Sequence, residues 1–173
     1  MHGAEAVPLV DEILKMTPRT WALEIGFGTG GSHTMWSMLF ENVISVDIDP
    51  LPLSLFACTE DTRGSYLVCG DSSDPETRSD VAQILGKRPV DFLFIDGKHD
   101  VTVVSDYNMY SPMVRVGGVI AFHDIYQSSV EEFLKELENR PEKAGGAAAP
   151  QMSRLESGVA RYRGVAYFHK QFE

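Results

Sequence analysis

The sequence predicts an α/β fold, a doubly wound and mostly parallel sheet covered by helices on both faces, and three features carry that prediction. Short apolar runs alternate strictly with longer amphipathic ones, the order that strand–helix–strand crossovers produce. The short runs are continuously apolar, which marks strands buried on both faces. The first run passes straight into Gly26-Phe27-Gly28-Thr29-Gly30-Gly31, a glycine-rich turn between a strand and a helix.

The elements follow in order. Residues 7–16 carry Val10, Ile13 and Leu14 on a helical period and stop before Pro18, so a lead-in helix is expected there. Residues 21–25 form the first strand, and a helix through Met35, Trp36, Met38 and Leu39 follows the glycine turn. The second strand is 43–47, succeeded by a helix over 53–59 and a turn at Gly64. The third strand is 66–71; residues 81–85 are helical, and Lys87-Arg88-Pro89 form a loop. The fourth strand is 90–96. A helix over 101–110 comes next, with Ser111-Pro112 opening a further turn toward Val114. Gly117-Gly118 turn the chain into the fifth strand, 119–122, which ends in His123-Asp124. Ser128-Ser129 with Glu131 and Glu132 read as a capping box for a helix that places Val130, Phe133, Leu134 and Leu137 on one face and stops at Pro141. Residues 142–150 read as an Ala/Gly-rich loop, and short strands near 154–155 and 165–169 close the chain.

A length of 173 residues suits one domain spanning 1–173. At 43% hydrophobic and 23% charged the chain is globular and not disordered. The 15 Lys+Arg against 25 Asp+Glu leave a net charge of −10, which argues against binding nucleic-acid phosphates or an anionic membrane surface. Cys58 and Cys69 form neither a disulfide framework nor a zinc spacing, and Met1-His2-Gly3-Ala4-Glu5 lacks the basic start of a signal peptide. A cytoplasmic protein is the expectation.

In a doubly wound sheet, ligands bind outside the carboxyl ends of the strands, where strand order reverses. Gly26-x-Gly28-x-x-Gly31 satisfies the dinucleotide fingerprint, and Asp47 lies about 20 residues on, as a ribose-binding acid should. That pattern alone is compatible with a nicotinamide cofactor. The other strand ends decide, because they add Glu24, Asp71, Asp96 and Asp124 to Asp47. A pyrophosphate among these acids meets like charges, each unfavourable by about 1–4 kcal/mol. A ligand carrying a sulfonium and an ammonium group is attracted instead, which favours S-adenosylmethionine.

The stretch Leu23-Glu24-Ile25-Gly26-Phe27-Gly28-Thr29-Gly30-Gly31-Ser32 resembles the first motif of class I S-adenosylmethionine-dependent methyltransferases. Phe94-Ile95-Asp96-Gly97-Lys98-His99, followed by Asp106, Tyr110, Pro112, Gly117-Gly118 and His123-Asp124, is more specific. It resembles the small methyltransferase group that includes cephalosporin-hydroxylase-like and sugar O-methyltransferase proteins, related to the catechol O-methyltransferases. The resemblance covers roughly residues 21–137. It implies a seven-stranded Rossmann-like sheet with a final antiparallel strand, and O-methylation of a small hydroxylated molecule.

It also implies roles for single residues. The turn of Gly26, Phe27, Gly28 and Gly30 lets the backbone approach the methionyl part, with Glu24 beneath it near the amino group. Asp47 accepts from both ribose hydroxyls, Ile48 packs on the adenine, and Asp71 with Ser72 reads its edge. Asp96, His123 and Asp124 occupy the places where catechol-type relatives hold a divalent metal; an imidazole there tilts the site from Mg²⁺ toward a transition metal. The alternative to a metal there is that Asp96 contacts the methionyl amino group while His123 hydrogen-bonds within the rim. His99 stands where those relatives place a lysine base, and an imidazole takes a proton near neutral pH. Blander readings stay open: Asp47 or Asp71 as helix caps, Ile48 as core packing, His99 as a loop-orienting residue, His33 as packing or capping. His2 and His169 belong to no constellation.

Two other functions compete. One is an NAD-dependent oxidoreductase; the other is a cofactor- or partner-binding module without turnover, suggested by how little chain is left for a substrate lid. A homodimer partner would supply those walls, with Arg154, Arg161, Arg163 and Lys170 as the contact.

Overall fold

Seven strands build one sheet: β1 (Trp21–Ile25), β2 (Asn42–Asp47), β3 (Ser65–Cys69), β4 (Val90–Ile95), β5 (Val114–His123), β6 (Ser153–Glu156) and β7 (Gly164–His169), in the order β3-β2-β1-β4-β5-β7-β6. The computed structural model of the chain describes residues 3–52, 54, 64–98, 100–139, 150–156 and 164–171. β1 to β5 run parallel, β7 is antiparallel to β5, and β6 is antiparallel to β7. Five helices with described bounds are α1 (Gly3–Leu14), α2 (Gly31–Ser37), α3 (Pro75–Leu85), α4 (Thr102–Tyr110) and α5 (Ser128–Glu138). This is the expected doubly wound α/β sheet with its late antiparallel strand.

The alternation of side chains along each strand divides the core in two. One face carries Leu23, Ile25, Ile44, Val46, Leu93, Ile95, Ile120 and Phe122, packed against Val81 and Leu85 of α3, Val103 and Tyr110 of α4, and Phe133, Leu134 and Leu137 of α5. The other carries Ala22, Val43, Phe92, Phe94, Val119 and Ala121 against Leu9 and Ile13 of α1 and Trp36 of α2. Burial on both sides is why the strands read as unbroken apolar runs. Among the described residues, no helix is long and apolar enough to cross a membrane.

Several boundaries differ from expectation for local reasons. Helix α1 begins at Gly3 and runs through Pro8 before ending at Leu14. Helix α2 stops at Ser37, which leaves Met38 79% exposed outside it. Helix α3 starts at Pro75, ahead of the predicted 81, because Asp74 accepts from the Glu76 N–H and Pro75 fits the first turn. The predicted capping box of α5 does not form: Gln127 is the N-cap and makes no side-chain cap bond. Residue 54 is helical, but the rest of the expected helix at 53–59 and residues 142–149 of the expected loop lie outside the described residues.

Gly117-Gly118 do not precede β5 but lie within it. Val90 pairs with Val114 while Phe92 pairs with Val119, so β5 bulges between those points. A Cβ on Gly118 would sit 2.8 Å from the Asp91 carbonyl oxygen, so the close approach admits only glycine. Asp91, 2% exposed, accepts from the N–H groups of Thr20 (2.8 Å) and Trp21 (3.0 Å) and pairs with Arg115 Nε at 2.6 Å. One carboxylate therefore ties the start of β1 to the bulge.

Candidate functional site

The chain order reverses between β1 and β4, and the carboxyl ends of all five parallel strands share one edge. Along that edge stand Asp71 beyond β3, Asp47 at the end of β2, the glycine turn after β1, Asp96 after β4 and Asp124 after β5. Glu24 does not join this row. It lies inside β1, 0% exposed, on the face covered by α1 and α2. The rim thus holds four of the five expected acids, and the fifth sits beneath it.

The glycine turn is fixed from two sides. Gly26 takes φ 95°, and a Cβ there would fall 2.2 Å from the Asp96 carbonyl oxygen. Asp47 Oδ2 accepts from the N–H groups of Phe27 (2.8 Å) and Gly28 (2.9 Å), and its Oδ1 accepts from the Asp49 N–H at 3.0 Å. Three of about four acceptor positions on this carboxylate are thereby used. Phe27 is buried while Gly28 is exposed, so the turn presents backbone to solvent.

Ile48 is 68% exposed, which excludes core packing and leaves an apolar side chain on the rim next to Asp47. Asp49, not Asp47, makes the local cap, accepting from the Leu51 N–H at 3.0 Å. Asp71 caps no helix either; it accepts from the Ser73 N–H and hydroxyl, whose bonds hold its carboxyl below the usual range. Ser72 is held by its carbonyl, which accepts from the Tyr110 hydroxyl at 2.9 Å.

Beyond β4 and β5, Asp96, His123 and Asp124 each place a donor atom within 4.8 Å of the other two. His123 Nδ1 lies 2.9 Å from Asp96 Oδ1 and 3.4 Å from Asp124 Oδ1. Asp124 takes φ 50°, a left-handed conformation that a short polar side chain tolerates and that turns it toward its neighbours. Two carboxylates and one imidazole make a donor set that fits a single divalent ion, which would take the place of the Nδ1 proton.

Beneath the glycine turn lies a polar cluster that sequence reasoning did not assemble. Glu24 Oε2 accepts from the Ser45 hydroxyl at 2.5 Å and Oε1 from Trp36 Nε1 at 3.2 Å. His33 Nδ1 is 2.7 Å from Ser45 Oγ, and its Nε2 is 3.0 Å from Ser65 Oγ. Burial pushes the Glu24 carboxyl up to about 7, with bonds from Ser32 and Ser45 opposing it and the charge of Asp96 adding to it. Burial likewise pushes His33 down to about 4. The available signal was Ser45, a polar residue inside an otherwise apolar strand.

Asp106 is a third buried acid beside Glu24 and Asp91, 1% exposed on α4, with neither oxygen hydrogen-bonded among the described residues. Burial raises its carboxyl to about 6, opposed by the nearby Ser72 hydroxyl and assisted by the charges of Asp71 and Asp100. His99 lies outside the described residues, as do Cys58, Arg161 and Arg163. His169 bonds Glu12 at 3.0 Å, away from this edge.

Comparison with known proteins agrees with this architecture. A family model described as a methyltransferase domain matches residues 23–125. Among solved structures, the MycE methyltransferase of the mycinamycin biosynthetic pathway, in complex with Mg, SAH and mycinamycin VI, is 20% identical. That match has a TM-score of 0.68 and covers 95% of this chain and 48% of that one. This chain therefore spans about half the length of that protein. An rRNA methylase from Streptococcus thermophilus is 11% identical, with a TM-score of 0.70, over 99% of this chain and 100% of that one. The O-methyltransferase TomG from Streptomyces achromogenes, involved in tomaymycin synthesis and in complex with SAM, is 14% identical. Its TM-score is 0.64, over 88% of this chain and 73% of that one. A search of curated proteins finds no match. Structural likenesses at these identities establish the fold; the family model, covering more than half of the chain, establishes that it belongs to the methyltransferase-domain family.

Proposed function

We propose that this chain is an S-adenosylmethionine-dependent methyltransferase acting on an oxygen of a small hydroxylated molecule, with residues 1–173 as one cofactor-binding domain. The observation that carries the reading is the row Asp71, Asp47, Asp96, Asp124 around a solvent-facing glycine turn. That edge attracts a ligand that is cationic at its reactive end and repels a pyrophosphate. Family membership sets the nicotinamide alternative aside, and the solved relatives described with SAM or SAH support the choice of cofactor.

S-adenosylmethionine supplies a methyl group already activated by its sulfonium, so the chain's task is to align an acceptor and help remove its proton. Gly26 and Gly28 let the backbone lie close under the methionyl part, and Glu24 provides negative charge beneath it. Asp47 retains capacity for about one further hydrogen bond, so it is assigned one ribose hydroxyl rather than two. Ile48 offers an apolar surface to the adenine, whose edge faces Asp71 and Ser72. Asp96, His123 and Asp124 would hold a divalent ion, which supplies a Lewis acid that eases deprotonation of a hydroxyl. His99, three residues beyond Asp96, is assigned the role of general base by its position in the sequence.

A net charge of −10 favours a small-molecule acceptor over a nucleic acid. A cytoplasmic location fits the cysteine usage, and a second copy of the chain is the proposed source of substrate-enclosing walls. Calorimetric titration with S-adenosylhomocysteine and NAD⁺, with and without Mg²⁺ or Mn²⁺, tests the reading. Binding of S-adenosylhomocysteine alone is expected; no binding under any condition would overturn it.

A further inference from the structure

Three strands and one helix build a continuous polar line through an apolar face. Glu24 of β1 pairs in register with Ser45 of β2, and Ser65 of β3 is the diagonal neighbour of Ser45. His33 of α2 bridges the two serines, and Glu24, His33 and Ser45 are all 0% exposed. Around them lie Ala22, Trp36, Val43 and Phe94, so apolar residues would fill the same positions without any cost of burying polar groups. The line also touches the glycine turn, since the Phe27 ring lies 5.5 Å from the His33 ring.

Charge dictates the direction of every bond. An ionised Glu24 only accepts, so Ser45 donates to it; Ser45 Oγ then accepts Nδ1–H of His33, and the bare Nε2 accepts the Ser65 hydroxyl. A neutral side chain at position 24 that donates lets the whole line reverse, and His33 then carries its proton on Nε2. Trp36 fixes the second Glu24 oxygen. Asp96, the other acid acting on Glu24, repels it, and a cation above the turn relieves both charges.

We propose that His33 and Ser45 are positioning residues that hold Glu24 as an oriented anion beneath the glycine turn, set to stabilise the ammonium group of the bound methionyl moiety. This rests on the methyltransferase reading above. His33 acts through Ser45 and touches no ligand.

The test compares binding of S-adenosylhomocysteine with that of 5′-methylthioadenosine, which keeps the adenosine but lacks the amino-acid part. Ser45→Ala and His33→Gln should each weaken S-adenosylhomocysteine by roughly tenfold while changing methylthioadenosine by less than about twofold. His33→Asn, whose amide N–H takes the place of Nδ1–H, should restore near-wild-type affinity. Nitrogen NMR at pH 9, where Glu24 is ionised, supplies a readout independent of ligand: His33 should carry its proton on Nδ1 in the wild type and on Nε2 in Glu24→Gln. Equal losses for both ligands, unchanged S-adenosylhomocysteine affinity, or an unmoved tautomer would overturn the proposal. A wild-type protein that binds no S-adenosylhomocysteine overturns the enzyme function and the positioning role together, whereas binding with insensitive variants removes only the latter.

Discussion

Replacing Glu24 by Gln should stabilise the protein in alkali and weaken its ligand. Glu24 is fully buried, and its carboxyl moves from 4.5 to about 7, chiefly through burial. A folded-state pKa above the unfolded value means that stability is full below about 4.5 and is lost as pH rises through about 7. At 1.36 kcal/mol per pH unit, the gap costs the ionised folded state about 3 kcal/mol. Glu24→Gln removes that cost, because the hydrogen-bonded line through Ser45, His33 and Ser65 can reverse to accept an amide donor. Urea unfolding at pH 5 and pH 9 reads the effect. The variant should gain about 3 kcal/mol over wild type at pH 9 and less than about 1 kcal/mol at pH 5. A stability difference that is the same at both pH values, or that turns against the variant in alkali, would falsify the reasoning. The same variant should bind S-adenosylhomocysteine more weakly, so the residue trades stability for function.

Other perturbations act on named bonds. Asp47→Ala frees the N–H groups of Phe27 and Gly28, and should lower S-adenosylhomocysteine affinity at least tenfold in calorimetry while costing about 1–2 kcal/mol of stability. Asp91→Ala leaves two strand N–H groups and Arg115 without their acceptor far from the ligand edge; denaturation should show a loss of about 3–5 kcal/mol. Unimpaired stability there would remove Asp91 from the account of the bulge. His123→Ala should abolish Mn²⁺ binding seen by electron paramagnetic resonance, and retained binding would show that the ion sits elsewhere. His99→Ala should cut turnover of a true acceptor by about 10²-fold while sparing cofactor affinity.

The parallel sheet was legible because strands buried on both faces leave an unambiguous apolar signature, and the rim acids followed from their places at the strand ends. Boundaries were less legible where the backbone, not the side chains, decides. Helix α3 looked short because Thr77 and Arg78 break the apolar period, although Asp74-Pro75 announces its start. Gly117-Gly118 read as a turn because a bulge and a turn use the same residues; only pairing with β4 and β7 distinguishes them. Strand-end position alone puts Glu24 in the ring of acids, whereas the family resemblance puts it beneath the glycine turn; counting by two from Ala22 agrees with the latter and places it under α2. His33, Ser45 and Ser65 are far apart in sequence and carry no motif, so their line existed only once β2 and β3 were in register.

The bulge in β5 has a consequence for the metal-type cluster at the other end of that strand. Between their two fixed pairings β4 advances from Val90 to Phe92 while β5 advances from Val114 to Val119, and the remaining pairs stay in step up to Ile95 and Phe122. The slack taken up at Gly117-Gly118 therefore sets which face His123 presents to Asp96. Side chains alternate with a period of 2, so one residue removed from the bulge, with the start of β5 held, would turn His123 through the sheet and separate it from Asp96. The geometry of three ligand-type side chains on one edge is thus adjusted from the opposite edge, by a pair of glycines that never approach them.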